Sequence, residues 1–377
     1  SRAMLLSGRA LVRVRDDLRS APTLPELLRA AGYTTFLTGK WHNGDDALVR
    51  AFPDARAVFR GGMCDHFDVP LCDVVAGAVA NPRRSARHAT ELFADAAIDF
   101  LRRHRAAGAP RPFFAYVPFT APHDPRDPPR RWLEALADRP PPPLPPNFRG
   151  QHGLDLGRAT MTVRDENLLG WPRDPDLLRD QLAEYRALVA HLDEQVGRVL
   201  AALDATGFAE HTLVVFASDH GLALGSHGLL GKQSLYAHSM RAPCIVAGPG
   251  VPRGVVREGL AYLHDLMPTI AVAAGTALPA DVDGQSLWPL VRGDGGGRAQ
   301  LVLLYADTQR AVRTPRHELI RLPGIDRTLV FDVEADPHEL HDLAGDPAHA
   351  ALVADLGARL RAALVELGDE LPWTADE

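Results

Sequence analysis

The chain has 377 residues, 46% of them hydrophobic and 24% charged, with a formal net charge of -7. That length suits about two domains with a sizeable core, and the acidic balance gives no basic field for nucleic acid. No apolar run approaches the roughly 18 residues needed to cross a bilayer, and the three cysteines, Cys64, Cys72 and Cys244, form neither a disulfide framework nor a spaced metal set.

Taken in chain order, residues 23–31 (TLPELLRAA) predict a short helix, with Thr23 as its cap, Pro25 in its first turn and Gly32 at its end. YTTFLTG then has strand composition, which puts Lys40, Trp41 and His42 on the loop after a strand. Residues 88–106 carry apolar side chains at helical spacing. PFFAYVPF (112–119) suits a buried strand, and TAPHDP follows it as a turn. Residues 126–175 read as an irregular surface excursion, with RPPPPLPPNF favouring extended polyproline geometry. A long helical pattern runs from Pro175 to Thr206. TLVVFASDHG (212–221) and PCIVAGPG (243–250) are further strands, and a helix is expected around LHDLMPTIAVAAG.

Apolar strands alternating with helices predict an α/β fold, a mostly parallel central sheet with helices on both faces. Past residue 298 the texture changes. LVLLYA, QRAVRT, HELIRL and TLVFDV resemble a small antiparallel sheet, closed by a helix near 348–367. The expected division is an α/β unit over 1–297 and a C-terminal α+β subdomain over 298–377. Oligomeric state is not legible.

Ligands of open α/β sheets gather beyond the carboxyl ends of the strands. Four polar clusters fall there: Lys40-Trp41-His42, Pro122-His123-Asp124-Pro125, Ser218-Asp219-His220-Gly221, and Gly231-Lys232. Singly each is weak, since such a turn is usually only a turn. Together they bring two ammonium groups, imidazoles and an Asp-His pair to one crevice. Lys40 and Lys232 are the only lysines, against 39 arginines, and both follow a glycine. Two ammonium groups in one pocket repel unless an anion lies between them. Asp and His side by side offer donors to a divalent cation. This set suits hydrolysis of a tetrahedral oxyanion ester, sulfate or phosphate. A lysine, unlike an arginine, can also surrender a proton when its pKa is depressed.

Several stretches resemble the sulfatase family of the alkaline-phosphatase-like superfamily. SRAMLLSGR (1–9) is similar to the tail of its first signature and GYTTFLTGKWH to its second. APHDP, FASDHGLALGSHGLLGKQSLY, MRAP, DLMPTIAVAAG, DGQSLWPL and AVRTPRHELIR follow in the family's order, so the resemblance covers nearly the whole chain. It implies an alkaline-phosphatase-like fold and metal-dependent hydrolysis of a small-molecule sulfuric ester. Asp219 and His220 would be metal ligands, with Ca2+ usual and Mn2+, Mg2+ or Zn2+ as alternatives. Lys232 would hold a sulfate oxygen. Lys40 and His123 would contact the sulfate and help protonate the leaving group. His42 would orient the nucleophile, and Arg2 would neutralise charge beside it. His227 falls in a structural loop or around the site, and His238 stands where an acid is common.

The family's nucleophile is a cysteine converted to formylglycine. By register it would precede Ser1, as would the first strand with two acidic metal ligands. The resemblance therefore implies an N-terminally truncated chain that is itself inactive. Two alternatives stay open: a phosphonate monoester or phosphodiester hydrolase on the same scaffold, and a non-catalytic relative. No membrane partner is expected, and the compartment, cytoplasmic or exported, is open.

Overall fold

The computed structural model describes residues 1–19, 21–108 and 111–369, so the end of the expected C-terminal unit, 370–377, lies outside the described residues. Helices α1 (Arg2–Ser7) and α2 (Leu24–Ala30) precede strand β1 (Thr34–Lys40). The expected cap of α2 is a capping box, in which the Thr23 N–H donates to Glu26 at 3.0 Å. Then follow α3 (Asp45–Ala51), β2 (Ala55–Phe59), β3 (Val69–Val75), β4 (Ala78–Ser85), α4 (Ala89–Ala106) and β5 (Phe113–Tyr116).

These strands form one sheet in the order β4-β3-β2-β1-β5. β1 runs parallel to β2 and to β5, and its burial along all but the first residue reflects that central place. β3 and β4 extend the sheet as an antiparallel hairpin. None of the elements over 45–85 is among those expected from the sequence. β4, with ANPRRS as its larger part and almost wholly exposed, has edge-strand composition rather than an apolar alternation.

The irregular excursion holds two short helices, α5 (Arg130–Ala135) and α6 (Arg158–Met161), and a 3-10 turn at Arg164–Leu168. The expected long helix is α7 (Pro175–Ala205), capped by the Asp174 carboxylate, which accepts from the N–H groups of Asp176 and Leu177 at 2.8 and 3.0 Å. Beyond it lie β6 (Val214–Ala217), α8 (Ala237–Met240), β7 (Cys244–Ala247), α9 (Leu266–Ala273) and α10 (Trp288–Arg292). β6 and β7 pair antiparallel with each other, apart from the larger sheet. Val214 of β6 shares an apolar cluster with Phe113 and Ala115 of β5, yet no ladder joins the two strands. The pair is correspondingly open: Phe216 is 39% and Ile245 60% exposed.

The C-terminal sheet is antiparallel, in the order β11-β10-β9-β8, from β8 (Leu301–Tyr305), β9 (Gln309–Arg313), β10 (His317–Leu322) and β11 (Arg327–Asp332). Helix α11 (Ala350–Leu367) covers one face, with Leu356, Leu360 and Leu364 packed among Val312, Leu319 and Val330. The opposite face, with Ala311, Ile320 and Phe331, packs on Leu229, Leu235 and Tyr236. The smaller unit therefore supports the loop that carries Lys232. Among the described residues no helix is long and apolar enough to cross a membrane.

Candidate functional site

Lys40 is the last residue of β1, not the first of the loop. The glycine before it is required by contact. Gly39 has φ +114°, and a Cβ there would lie 2.3 Å from the Pro118 carbonyl oxygen, which accepts the Lys40 N–H at 2.7 Å. The side chain is inside the protein, and its ammonium donates to the Gly62 carbonyl at 2.5 Å. A Cβ on Gly62 would sit 3.1 Å from His42 Cε1, so that ring lies against the same loop. Burial, then Arg2, with lesser pushes from Lys232 and Arg164, brings the Lys40 ammonium down to about 8, although Asp219 opposes this. His42 is lowered too, by burial and then by Lys40 and Arg2.

His123 sits in the turn after β5. Its Nδ1 donates to the Asp124 carbonyl at 3.0 Å, which leaves Nε2 as an acceptor, 3.2 Å from Lys232 Nζ. His66 Nε2 holds the turn from outside by donating to the His123 carbonyl at 3.0 Å. Burial, with Lys232 and Lys40 adding repulsion, lowers His123 to about 4, so the ring is neutral at pH 7.

Lys232 is held by a neighbour that the sequence did not announce. Asp165, on the 3-10 turn of the excursion, accepts from Lys232 Nζ at 2.8 Å and from Gln233 Nε2 at 3.1 Å. The next residue, Glu166, accepts from the Leu230 N–H at 3.0 Å and the Gly231 N–H at 2.8 Å. Glu166 is in turn ion-paired to Arg173, whose side chain has no exposure. The glycine of the second Gly-Lys pair is also crowded, though by side chains and without a left-handed backbone. A Cβ on Gly231 would meet Gln233 Oε1 at 2.3 Å, Asp165 Cβ at 3.0 Å and Glu166 Oε1 at 3.1 Å.

Asp219 and His220 follow β6. Asp219 Oδ2 lies 3.3 Å from Arg2 Nε, and Oδ1 lies 3.8 Å from His220 Nε2. His220 Nδ1 donates to the Gly221 carbonyl at 3.0 Å, so its Nε2 is the free acceptor. Burial would raise the Asp219 acid, but Arg2, His220 and Lys40 hold it below the ordinary carboxylate range. Burial lowers His220. Burial raises the Tyr116 hydroxyl, and the nearby charge of Arg2 opposes this.

Arg2, Lys40, His42, His123, Asp219, His220 and Lys232 thus come from separate chain segments into one electrostatic neighbourhood. His227 lies outside it, stacked on Tyr236 at 4.2 Å between ring centroids, and His238 pairs with Ser234 Oγ at 3.0 Å. Neither Cys64 nor Cys72 is primed as a nucleophile: burial pushes the Cys64 thiol up to about 11, and Cys72 is enclosed in β3.

Asp219 and His220 offer two donors of the kinds a divalent ion takes. One Asp219 oxygen already faces Arg2, and among the described residues no group of three or more His, Cys, Asp or Glu side chains converges as a metal site. The residues present do not by themselves fit such an ion.

Asp165, Glu166 and Arg173 escape sequence reasoning because they lie far from any strand end, in a Pro- and Gly-rich stretch. The adjacent acids in Arg164-Asp165-Glu166 are the available signal.

The sulfatase family model matches residues 1–276, and the model described as N-sulphoglucosamine sulphohydrolase, C-terminal, matches 225–366. The chain is 29% identical to the multifunctional alkaline phosphatase superfamily protein PehA of Trinickia caryophylli, over 94% of this chain and 82% of that protein. It is also 29% identical to a choline-sulfatase of Rhizobium meliloti, over 92% and 73% of the two chains. The structure of BT4656 in complex with its substrate D-glucosamine-2-N,6-O-disulfate superposes with a TM-score of 0.79 at 23% identity. That match covers 98% of this chain and 88% of that one.

Proposed function

The chain belongs to the sulfatase family, whose members are hydrolases acting on sulfate esters, and from this premise we propose that its site grips the oxyanion of a sulfuric ester. The observation that carries the reading is the crowding of cations around Lys40. An ammonium brought down to about 8 by burial and by Arg2 carries a charge that a bound anion would stabilise.

In this reading Lys40 and Lys232 each take an oxygen of the sulfate group, and Arg2 balances charge beside Asp219. The proton for the leaving oxygen is held at Lys232 Nζ. His123, with its proton on Nδ1 and its lone pair toward Lys232, orients that ammonium rather than donating from Nε2. His42 lies beside Lys40, where it can align an attacking group. Asp219 and His220 are two donors only, and one Asp219 oxygen already faces Arg2, so the reading assigns no step to a divalent ion.

No activated nucleophile stands in the site among the described residues, so these 377 residues are proposed to bind the ester without turning it over. The expected result is saturable binding of 4-nitrophenyl sulfate by calorimetry, no release of nitrophenol, and loss of binding in Lys232→Ala. Lys232-dependent hydrolysis by this chain would contradict the inactivity. Equal binding by the wild type and Lys232→Ala would contradict the site. The pH dependence has a definite sign. Lys40 is lowered in the folded state, so its charge costs stability below about pH 8, and that cost fades as pH rises. Sulfate should therefore raise the melting temperature more at pH 7 than above pH 9.

A further inference from the structure

The loop between β2 and β3 touches both arms of the site. Its Gly62 carbonyl accepts from the Lys40 ammonium at 2.5 Å. Further along the same loop, His66 lies behind the turn that carries His123. It is 1% exposed, and its carbonyl accepts from the Ala89 N–H, at the start of α4, at 2.8 Å. The ring is held on its face as well, stacked on His88 at 5.0 Å between centroids. Its two nitrogens bracket the turn: Nε2 lies 3.0 Å from the His123 carbonyl oxygen, and Nδ1 lies 3.3 Å from Thr120 Oγ1. A carbonyl only accepts, so Nε2 carries the proton. Burial lowers His66 and keeps the ring neutral, so Nδ1 is a lone pair to which the Thr120 hydroxyl donates.

The peptide that His66 grips is the one linking His123 to Asp124. The next carbonyl along, that of Asp124, accepts from His123 Nδ1 at 3.0 Å. Rotating the gripped peptide would swing this acceptor away from the ring. The proton would then be free to sit on Nε2, and an N–H would face the Lys232 ammonium 3.2 Å away, donor against donor. We infer that His66 is a positioning residue: by clamping the His123–Asp124 peptide it fixes which His123 nitrogen carries the proton, and so keeps a lone pair on Lys232. One loop, through Gly62 and His66, thereby braces both lysines. The inference rests on the oxyanion-binding reading above and adds the part that holds its cations in place.

The test compares the wild type, His66→Phe and His66→Gln. Phenylalanine keeps the ring and its stacking on His88 but has no donor, whereas glutamine brings an amide N–H near the position of Nε2. Each protein, grown with nitrogen-labelled histidine, is first checked for folding by circular dichroism. Long-range proton–nitrogen NMR spectra then read the histidine tautomers, with His123 assigned from His123→Ala, and calorimetry reads the affinity for 4-nitrophenyl sulfate. In the wild type His66 should carry its proton on Nε2 and His123 on Nδ1. His66→Phe should shift His123 toward the Nε2–H form and weaken ester binding by roughly tenfold, the scale of one hydrogen bond to a charged group. His66→Gln should keep the wild-type tautomer and affinity even if its melting temperature drops.

A merely structural role would lower stability without moving the proton, so His66→Phe with His123 still protonated on Nδ1 overturns the inference while the binding reading survives. So does His66→Gln shifting as far as His66→Phe. Should His66→Phe fail to fold, the wild type still decides: His66 protonated on Nδ1, or His123 on Nε2, overturns the inference. A wild type with the expected tautomers that binds no ester overturns the oxyanion reading, and this inference with it.

Discussion

Replacing Arg173 by methionine is expected to cost about 3–5 kcal/mol of folding stability, the penalty for stranding one partner of a buried ion pair. Arg173 and Glu166 are both enclosed, and Arg173 also donates to the carbonyls of Gly228 and Glu166, at 3.0 and 2.8 Å, and to that of Leu169. Without it Glu166, already raised by burial, must take a proton or unfold its surroundings. The deficit should therefore shrink as pH falls toward the ordinary glutamate range, where the stranded acid becomes neutral. Urea unfolding at two pH values measures both effects. Because Glu166 anchors the N–H groups of Leu230 and Gly231, sulfate affinity should drop together with stability. A variant as stable as the wild type would show that the pair does not hold the Lys232 loop.

Gly39→Ala should be nearly as damaging, at about 3 kcal/mol or more, since it combines a left-handed backbone with overpacking against a main-chain oxygen. The obstacle is the Pro118 carbonyl, 2.3 Å from where the Cβ would be, and backbone at a central strand end has little room to retreat. Relief would break the Lys40 N–H bond to Pro118 and displace the Lys40 ammonium. Thermal unfolding gives the stability change, and calorimetry with sulfate gives the loss of affinity. By contrast Gly77, also at positive φ but with nothing within 4 Å of where its Cβ would be, should tolerate alanine at the lower cost of backbone strain alone.

These two sites mark what the sequence could and could not disclose. The glycine before each lysine was visible, and so was the placing of Lys40, His123 and Asp219 at or beyond strand ends, because local strand composition and turn residues carry that information. What presses on those glycines was not visible. Pro118 and Asp165 reach them through tertiary contacts between distant segments. Helices α4, α7 and α11 were legible from their apolar spacing. β4 was not, because an exposed edge strand such as ANPRRS has no core-facing pattern. The pairing of β6 with β7 was also hidden, since an apolar run specifies burial but not the strand beside it.

The central claim is that the protein's two lysines surround one tetrahedral anion, and their scarcity gives a direct test. Protein grown with side-chain-labelled lysine should give two ammonium-linked NMR signals, assigned with Lys232→Met. In the wild type one signal, from Lys40, should titrate near pH 8, and sulfate should move both signals and raise that midpoint. Two lysines titrating at ordinary solvent-exposed values, neither responding to sulfate, would contradict the account.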